Sequence, residues 1–191
     1  MKCFILGTAP SLKLEDLSNI KDPVFICNKG YKALELGLKK YDYYVLGDPH
    51  VAAFNYKEIE ENVVCPKFLS SGIRNLENFT RYKVFKRLGG TYTDLPKTFE
   101  SGWPSVSTVV LDAVLIAYFL GFTDMTLLGV DLNYNQSNTH FYPDDSREVK
   151  DRNVMDIKRS INTYNYIKKH LELLNINLKN NSKGYIHWTH I

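Results

Sequence analysis

Two short segments combine the residue types that anion handling needs with a suitable setting: Gly7-Thr8-Ala9-Pro10-Ser11-Leu12 and Gly129-Val130-Asp131-Leu132-Asn133-Tyr134. Each follows a short apolar, strand-like run, residues 3–6 and 125–128. A glycine-containing turn that leads into a helix presents backbone N–H groups to an anion. An aspartate at another strand end accepts hydrogen bonds from hydroxyls or an amine. In an open parallel sheet such loops line one crevice, and ligands bind there. Together the two segments point to a nucleotide or sugar-phosphate site. In the first, Gly7 permits close backbone approach, Pro10 presets φ for a helix start, and Ser11 is placed to cap that helix. The same residues read equally well as an ordinary strand-to-helix turn. The GxGxxG spacing of a dinucleotide fold and the lysine of a P-loop are both missing from it.

Three further groups fall at expected element ends. Cys27-Asn28-Lys29-Gly30 closes a second strand and Gly47-Asp48-Pro49-His50 a third, so in a parallel sheet Asn28 and Asp48 share the crevice with the Gly7 turn. Either is also a natural turn or cap residue. Trp103-Pro104-Ser105-Val106-Ser107-Thr108 opens an apolar helix whose N–H groups and dipole suit a phosphate or carboxylate, with plain capping by the hydroxyls as the alternative. After Asp131, the loop through Thr139-His140-Phe141-Tyr142-Pro143-Asp144-Asp145 gathers an imidazole, phenols and carboxylates. Histidine suits proton transfer near neutral pH, which makes His140 the candidate base and His50 its rival. Asp144 and Asp145 suit a divalent cation or plain solvation. His170 falls in a helix, and His187 and His190 in a tail without partner ligands.

Elements that would position these groups alternate along the chain. Strand-like runs occur at 3–6, 24–27, 43–46, 63–68, 82–86, 125–128 and 176–178, several of them continuously apolar, as strands covered on both faces should be. Helices are expected at 11–20, 30–38, 51–61, from Ser105 or Ser107 to Leu120, and at about 153–174. The last carries Ile157, Ile161, Tyr164, Ile167, Leu171 and Leu174 on one face and Lys158, Arg159, Asn162, Asn165, Lys168 and Lys169 on the other. Residues 70–79 and 89–103 show no period. This alternation predicts an α/β fold with a mostly parallel sheet. With 191 residues, no repeats and no linker, one domain over 1–191 is expected.

A net charge of +3 with scattered lysines leaves no basic stripe for nucleic acid. Residues 81–87 interleave cations with apolar residues, the pattern of a strand with one wet face. Cys3, Cys27 and Cys65 form no CxxC pair, and Cys3 and Cys27 read as small buried hydrophobes, which fits a reducing cytoplasm. The chain is expected to open on a strand rather than a signal peptide, and the run 109–122, interrupted by Asp112, is too short to span a bilayer.

Taken in order, Gly7-Thr8-Ala9-Pro10-Ser11-Leu12, Cys27-Asn28, the Ser107-Thr108 helix start and Gly129-Val130-Asp131 resemble the bacterial sialyltransferases of glycosyltransferase family 42 over roughly the first 135 residues. Similar turns occur in a wider group of uncharacterised α/β proteins and in archaeal pterin diphosphokinases. The resemblance implies a Rossmann-like, glycosyltransferase-A-like variant fold. It also implies a CMP-activated sugar donor and inverting transfer to a hydroxyl of a glycan acceptor, with no cofactor and no essential metal. By the same resemblance Asn28 and Asp131 contact the nucleotide, and Ser107 and Thr108 contact the sugar carboxylate or phosphate. Thr8 and Asp48 stand where the family has asparagine. Asn133 replaces a phosphate-binding tyrosine, with Tyr134 beside it. His140 lies in a loop shorter than the family's lid, nearer a second phosphate-binding tyrosine, and Tyr142 is also expected at the phosphate. The donor site expected is therefore Gly7, Thr8, Ser11, Asn28, Asp48, Ser105, Ser107, Thr108, Asp131 and Asn133. The family's membrane-associating C-terminal extension is not expected here, and peripheral membrane contact and self-association stay open. A Mg²⁺-dependent diphosphokinase using Asp131, Asp144 and Asp145 is the second enzyme reading, and a nucleotide- or glycan-binding protein without catalysis is the third.

Overall fold

Nine strands and three α-helices make up a computed structural model that describes residues 1–90, 94–105, 108–132, 139–143 and 154–183. The strands are β1 (Lys2–Leu6), β2 (Val24–Cys27), β3 (Tyr43–Leu46), β4 (Lys67–Ser70), β5 (Tyr82–Phe85), β6 (Arg87–Leu88), β7 (Trp103–Pro104), β8 (Asp124–Leu128) and β9 (Asn177–Asn180). The helices are α1 (Pro49–Asn62), α2 (Val109–Phe119) and α3 (Val154–Leu173). Seven strands form one sheet in the order β5-β4-β3-β2-β1-β8-β9, every pair parallel, and β6 and β7 form a small parallel ladder beside it. The expected α/β architecture is present.

The chain steps outward from β1 to β5, then returns to place β8 on the other side of β1. That reversal puts the topological switch point between β1 and β8, which pair in register from Lys2↔Asp124 to Leu6↔Leu128. Alternate strand residues feed two cores. Cys3, Ile5, Phe25, Cys27, Val45 and Leu127 pack under α2 and α3. Leu6, Ile26, Tyr44, Leu46 and Leu128 pack under α1 and the segments after β1 and β2. Helix α2 is buried along Val110–Ala117, each large aliphatic side chain contributing about 1.5–3 kcal/mol.

Several boundaries differ from expectation. The helices expected at 11–20 and 30–38 are the 3₁₀ segments Pro10–Leu14 and Gly30–Leu36. Asp16 diverts the first by accepting hydrogen bonds from Ser18 N–H and Oγ and from Asn19 Nδ2. Gly37, at φ +91°, ends the second. Ser11 does not cap the first segment, whose N-cap is Ala9, and Thr108 rather than Ser105 or Ser107 is the N-cap of α2. Residues 63–66 are not strand, because α1 runs to Asn62 and closes with Val63 N–H on Ile59 C=O. Edge strand β5 has Tyr82 and Lys83 both exposed instead of alternating faces. In α3, Ile161, Tyr164, Ile167 and Leu171 are buried, whereas Leu174 lies past the helix end and is exposed. Cys3 and Cys27 are buried free thiols, and burial pushes Cys3 up to about 12.

Candidate functional site

At the switch point the β1 and β8 turns are locked to each other by their backbones. Gly7 N–H donates to Leu128 C=O at 2.9 Å and Ala9 N–H to Gly129 C=O at 3.0 Å, extending the parallel ladder past both strands. A Cβ on Gly7 would fall 2.3 Å from the Gly129 oxygen and 2.8 Å from Val130 Cγ2. Gly129 is left-handed at φ +64°, and a Cβ there would fall 2.9 Å from Leu12 Cβ.

That contact brings Ser11 to Asp131. Both carboxylate oxygens of Asp131, which is 7% exposed, accept from Ser11: one from its N–H at 3.3 Å and the other from its Oγ–H. The far side of the same turn is held by residues that follow β9. Val130 N–H donates to Ser182 Oγ at 2.7 Å, and Asn180 Nδ2 donates to Val130 C=O at 2.8 Å. Lys183 then reaches back to Glu15 and Leu14 beside the Gly7 turn. Asp131 is thus gripped between two elements, with lone pairs left over on both oxygens.

Strand β2 leaves the sheet through Asn28, whose φ is +49°, and its amide oxygen accepts from Gly47 N–H at 3.4 Å. This bond engages the Asn28 amide oxygen and leaves Nδ2 as the donor of the amide. Asp48 N-caps α1, accepting from His50 N–H at 2.8 Å and Val51 N–H at 3.5 Å. The cap reading of Asp48 therefore holds alongside its place at the β3 end. Thr108, with no side-chain cap bond, starts α2 close by, where Cys27 Sγ lies 3.9 Å from Val109 C=O. Ser105 continues the β6–β7 ladder, its N–H on Leu88 C=O at 3.2 Å.

Residues 139–143 pack onto the first turn through Phe141 N–H, which donates to Thr8 C=O at 2.8 Å. This brings three groups into one column. The His140 ring stacks on Tyr142 at 4.9 Å and 5°, and Lys29 Nζ lies 5.1 Å from the centre of the same Tyr142 ring. Lys29, next to Asn28, is 6% exposed. A cation over an aromatic face at this distance is attracted to it. His140 Nδ1 lies 3.0 Å from Thr139 Oγ1.

The structure therefore gathers Gly7, Thr8, Ser11, Asp131, His140 and Tyr142 at the switch point. Asn28, Asp48 and Thr108 lie on the neighbouring strand and helix ends. His50 sits in the first turn of α1, its ring 6.5 Å from that of Phe54. Ser107, Asn133, Tyr134, Asp144, Asp145, His187 and His190 lie outside the described residues. Among the described residues no three His, Cys, Asp or Glu side chains cluster to hold a metal, and no helix is long and apolar enough to cross a membrane.

Some supporting residues had no local signal. Lys29 could be noticed only as the neighbour of Asn28, and Asn180 and Ser182 belong to a strand end distant in sequence from Val130. Arg87 and Asp112, which meet below the β3 turn, lie in segments whose patterns read as a wet strand and an interrupted apolar run.

No family model matches the chain, and no curated protein matches its sequence. Solved structures do match its fold. The sialyltransferase CstII from Campylobacter jejuni, solved with a substrate analogue, cytidine-5′-monophosphate, aligns over all of this chain and 83% of its own, at 15% identity and a TM-score of 0.60. The monofunctional α-2,3-sialyltransferase Cst-I from the same organism aligns over all of this chain and 78% of its own, at 17% identity and 0.63. The Maf glycosyltransferase of Magnetospirillum magneticum AMB-1 aligns at 18% identity and 0.64, over 97% of this chain and 32% of its own. The chain has the α/β fold of these glycosyltransferases, with bacterial sialyltransferases among its structural neighbours.

Proposed function

We propose that the protein is a glycosyltransferase that uses a nucleotide-activated sugar, most simply a CMP-sugar, and transfers the sugar with inversion to a hydroxyl of a glycan acceptor. The observation that carries this reading is the Gly7–Ser11 turn locked to Asp131 at the switch point, which holds a fixed carboxylate where such sheets bind ligands. The fold it shares with CstII, which has been solved with CMP and with a trisaccharide acceptor and CMP, supports the same reading. Asp131 and Asn28 Nδ2 then face the nucleotide, the one as acceptor and the other as donor. Thr108 and the first turn of α2 meet the anionic part of the sugar. His140 takes the acceptor hydroxyl proton as the acceptor oxygen bonds to the anomeric carbon and the bond to the phosphate oxygen breaks. The departing CMP carries the added negative charge, which the Tyr142 hydroxyl and the Lys29 ammonium stabilise.

CMP without added metal is expected to stabilise the fold. At a concentration about a hundredfold above its Kd the gain is about 2.7 kcal/mol, a Tm rise of roughly 5–10 °C for a chain of this size. A shift seen only with Mg²⁺ favours the diphosphokinase reading, and stabilisation without turnover on any acceptor leaves a binding protein. In the transfer assay His140→Ala is expected to remove most of the rate, with CMP affinity within about threefold of wild type. A normal rate in that variant takes His140 out of the mechanism.

A further inference from the structure

Beside the β3 turn lies a polar cluster that makes none of the proposed ligand contacts itself. Asp112 is fully buried in the first turn of α2, within an otherwise apolar run. It accepts hydrogen bonds from Arg87 Nη2, from Arg87 Nε at 3.5 Å and from Trp103 Nε1 at 2.8 Å. Burial pushes the Asp112 carboxyl up, and Arg87 and Trp103 pull against that shift. Phe85 stacks on Trp103 at 5.4 Å and 6°, and the guanidinium carbon lies 5.7 Å from the Phe85 ring centre. The other arm of the fork, Nη1, donates to Gly47 C=O at 2.8 Å. Gly47 has no side chain to obstruct it, since a Cβ there would fall 2.2 Å from Arg87 Nη2.

We propose that Arg87, oriented by Asp112, is the positioning residue of the donor site. It holds the Gly47 carbonyl, which lies in the peptide unit shared with Asp48, and so anchors the residue whose N–H, in the preceding unit, bonds the Asn28 amide oxygen. A buried ion pair adds little net stability compared with an uncharged packing of the same volume. What it supplies is direction: one planar fork ties α2, β6 and the β3 turn into a single frame. Lysine offers a point charge and cannot hold Asp112 and the Gly47 carbonyl together in this geometry. The role at the donor rests on the proposed function, whereas the positioning of Gly47 and Asn28 does not.

Two variants test it. Arg87→Lys keeps the charge opposite Asp112 and loses the fork. Arg87→Met combined with Asp112→Asn removes both charges together and keeps an acceptor for Trp103. Both are expected to melt within a few degrees of wild type. Both should also shift the Gly47 backbone amide and Asn28 side-chain amide resonances in ligand-free protein, and raise the CMP-sugar KM at least tenfold with kcat changed less than threefold. Unmoved Gly47 and Asn28 resonances in both variants overturn the proposal, as does an unchanged donor KM where the wild type turns over. If the wild type binds no nucleotide, the functional reading fails, and the two resonances alone decide whether Arg87 positions the turn.

Discussion

Gly7→Ala is expected to cost the fold at least about 3 kcal/mol and to lower Tm by roughly 6–12 °C. The added methyl would lie 2.3 Å from a carbonyl oxygen of the Gly129 turn and 2.8 Å from Val130 Cγ2. The first of these is backbone held by the ladder bonds of Gly7 and Ala9, so no flexible side chain can swing away. Relief requires β1 and β8 to separate at their carboxyl ends, which also breaks the grip of Ser11 on Asp131. Loss of nucleotide response should therefore accompany the loss of stability. Gly89→Ala is the control, because a Cβ there meets nothing within 4 Å, and its Tm should stay within about 2 °C of wild type. Thermal melts of the two variants side by side check this, and a Gly7→Ala protein that melts with wild type would mean that the two turns are not in contact.

Asp131→Asn is expected to weaken CMP binding by about 10- to 100-fold while leaving the protein folded. Loss of a hydrogen bond to a charged group costs about 1.5–3 kcal/mol, and each 1.4 kcal/mol is a factor of ten in affinity. Asparagine can accept from only one of the two Ser11 donors and presents its NH₂ to the other, so the turn must rearrange as well. Ser11→Ala separates the two contributions. It removes the hydroxyl bond but keeps the carboxylate, and should lose several-fold less affinity than Asp131→Asn. Calorimetric titration with CMP measures both. Equal affinity for wild type and Asp131→Asn would place the nucleotide elsewhere.

The parts of this site that could be read in the sequence are those whose chemistry is local. A glycine after an apolar run, an aspartate after another and an asparagine after a third are strand-end signals wherever the sheet is parallel. The expected strands 24–27 and 43–46 coincide with β2 and β3 because their apolar runs are bounded by turn residues on both sides. The two segments after β1 and β2 were legible as helical but not as 3₁₀, since Asp16 and Gly37 interrupt a pattern that hydrophobic spacing alone would extend. Partnerships between distant residues left no trace. Asp112 reads as a flaw in an apolar helix until Arg87 and Trp103 are seen beside it. The alternation in residues 81–87 carries no hint that its last arginine leaves the strand edge for the interior. Ser182 and Asn180 look like ordinary loop polarity, yet they hold the turn that carries Asp131.

The strand order has a consequence for how the molecule comes together. Strands β1 to β5 each pair with a neighbour close in sequence, as in Phe4↔Val24, so five of the seven can join as the chain emerges. The other edge of β1 waits for β8, whose register begins at Lys2↔Asp124, and closing so long a loop is slow. Until then an apolar strand stands open, the kind of edge that invites aggregation in partly folded chains. The crevice lies on that late seam. A nucleotide bound as proposed would meet its full complement of contacts only on chains that have completed assembly, and its binding would draw the late step to completion by mass action.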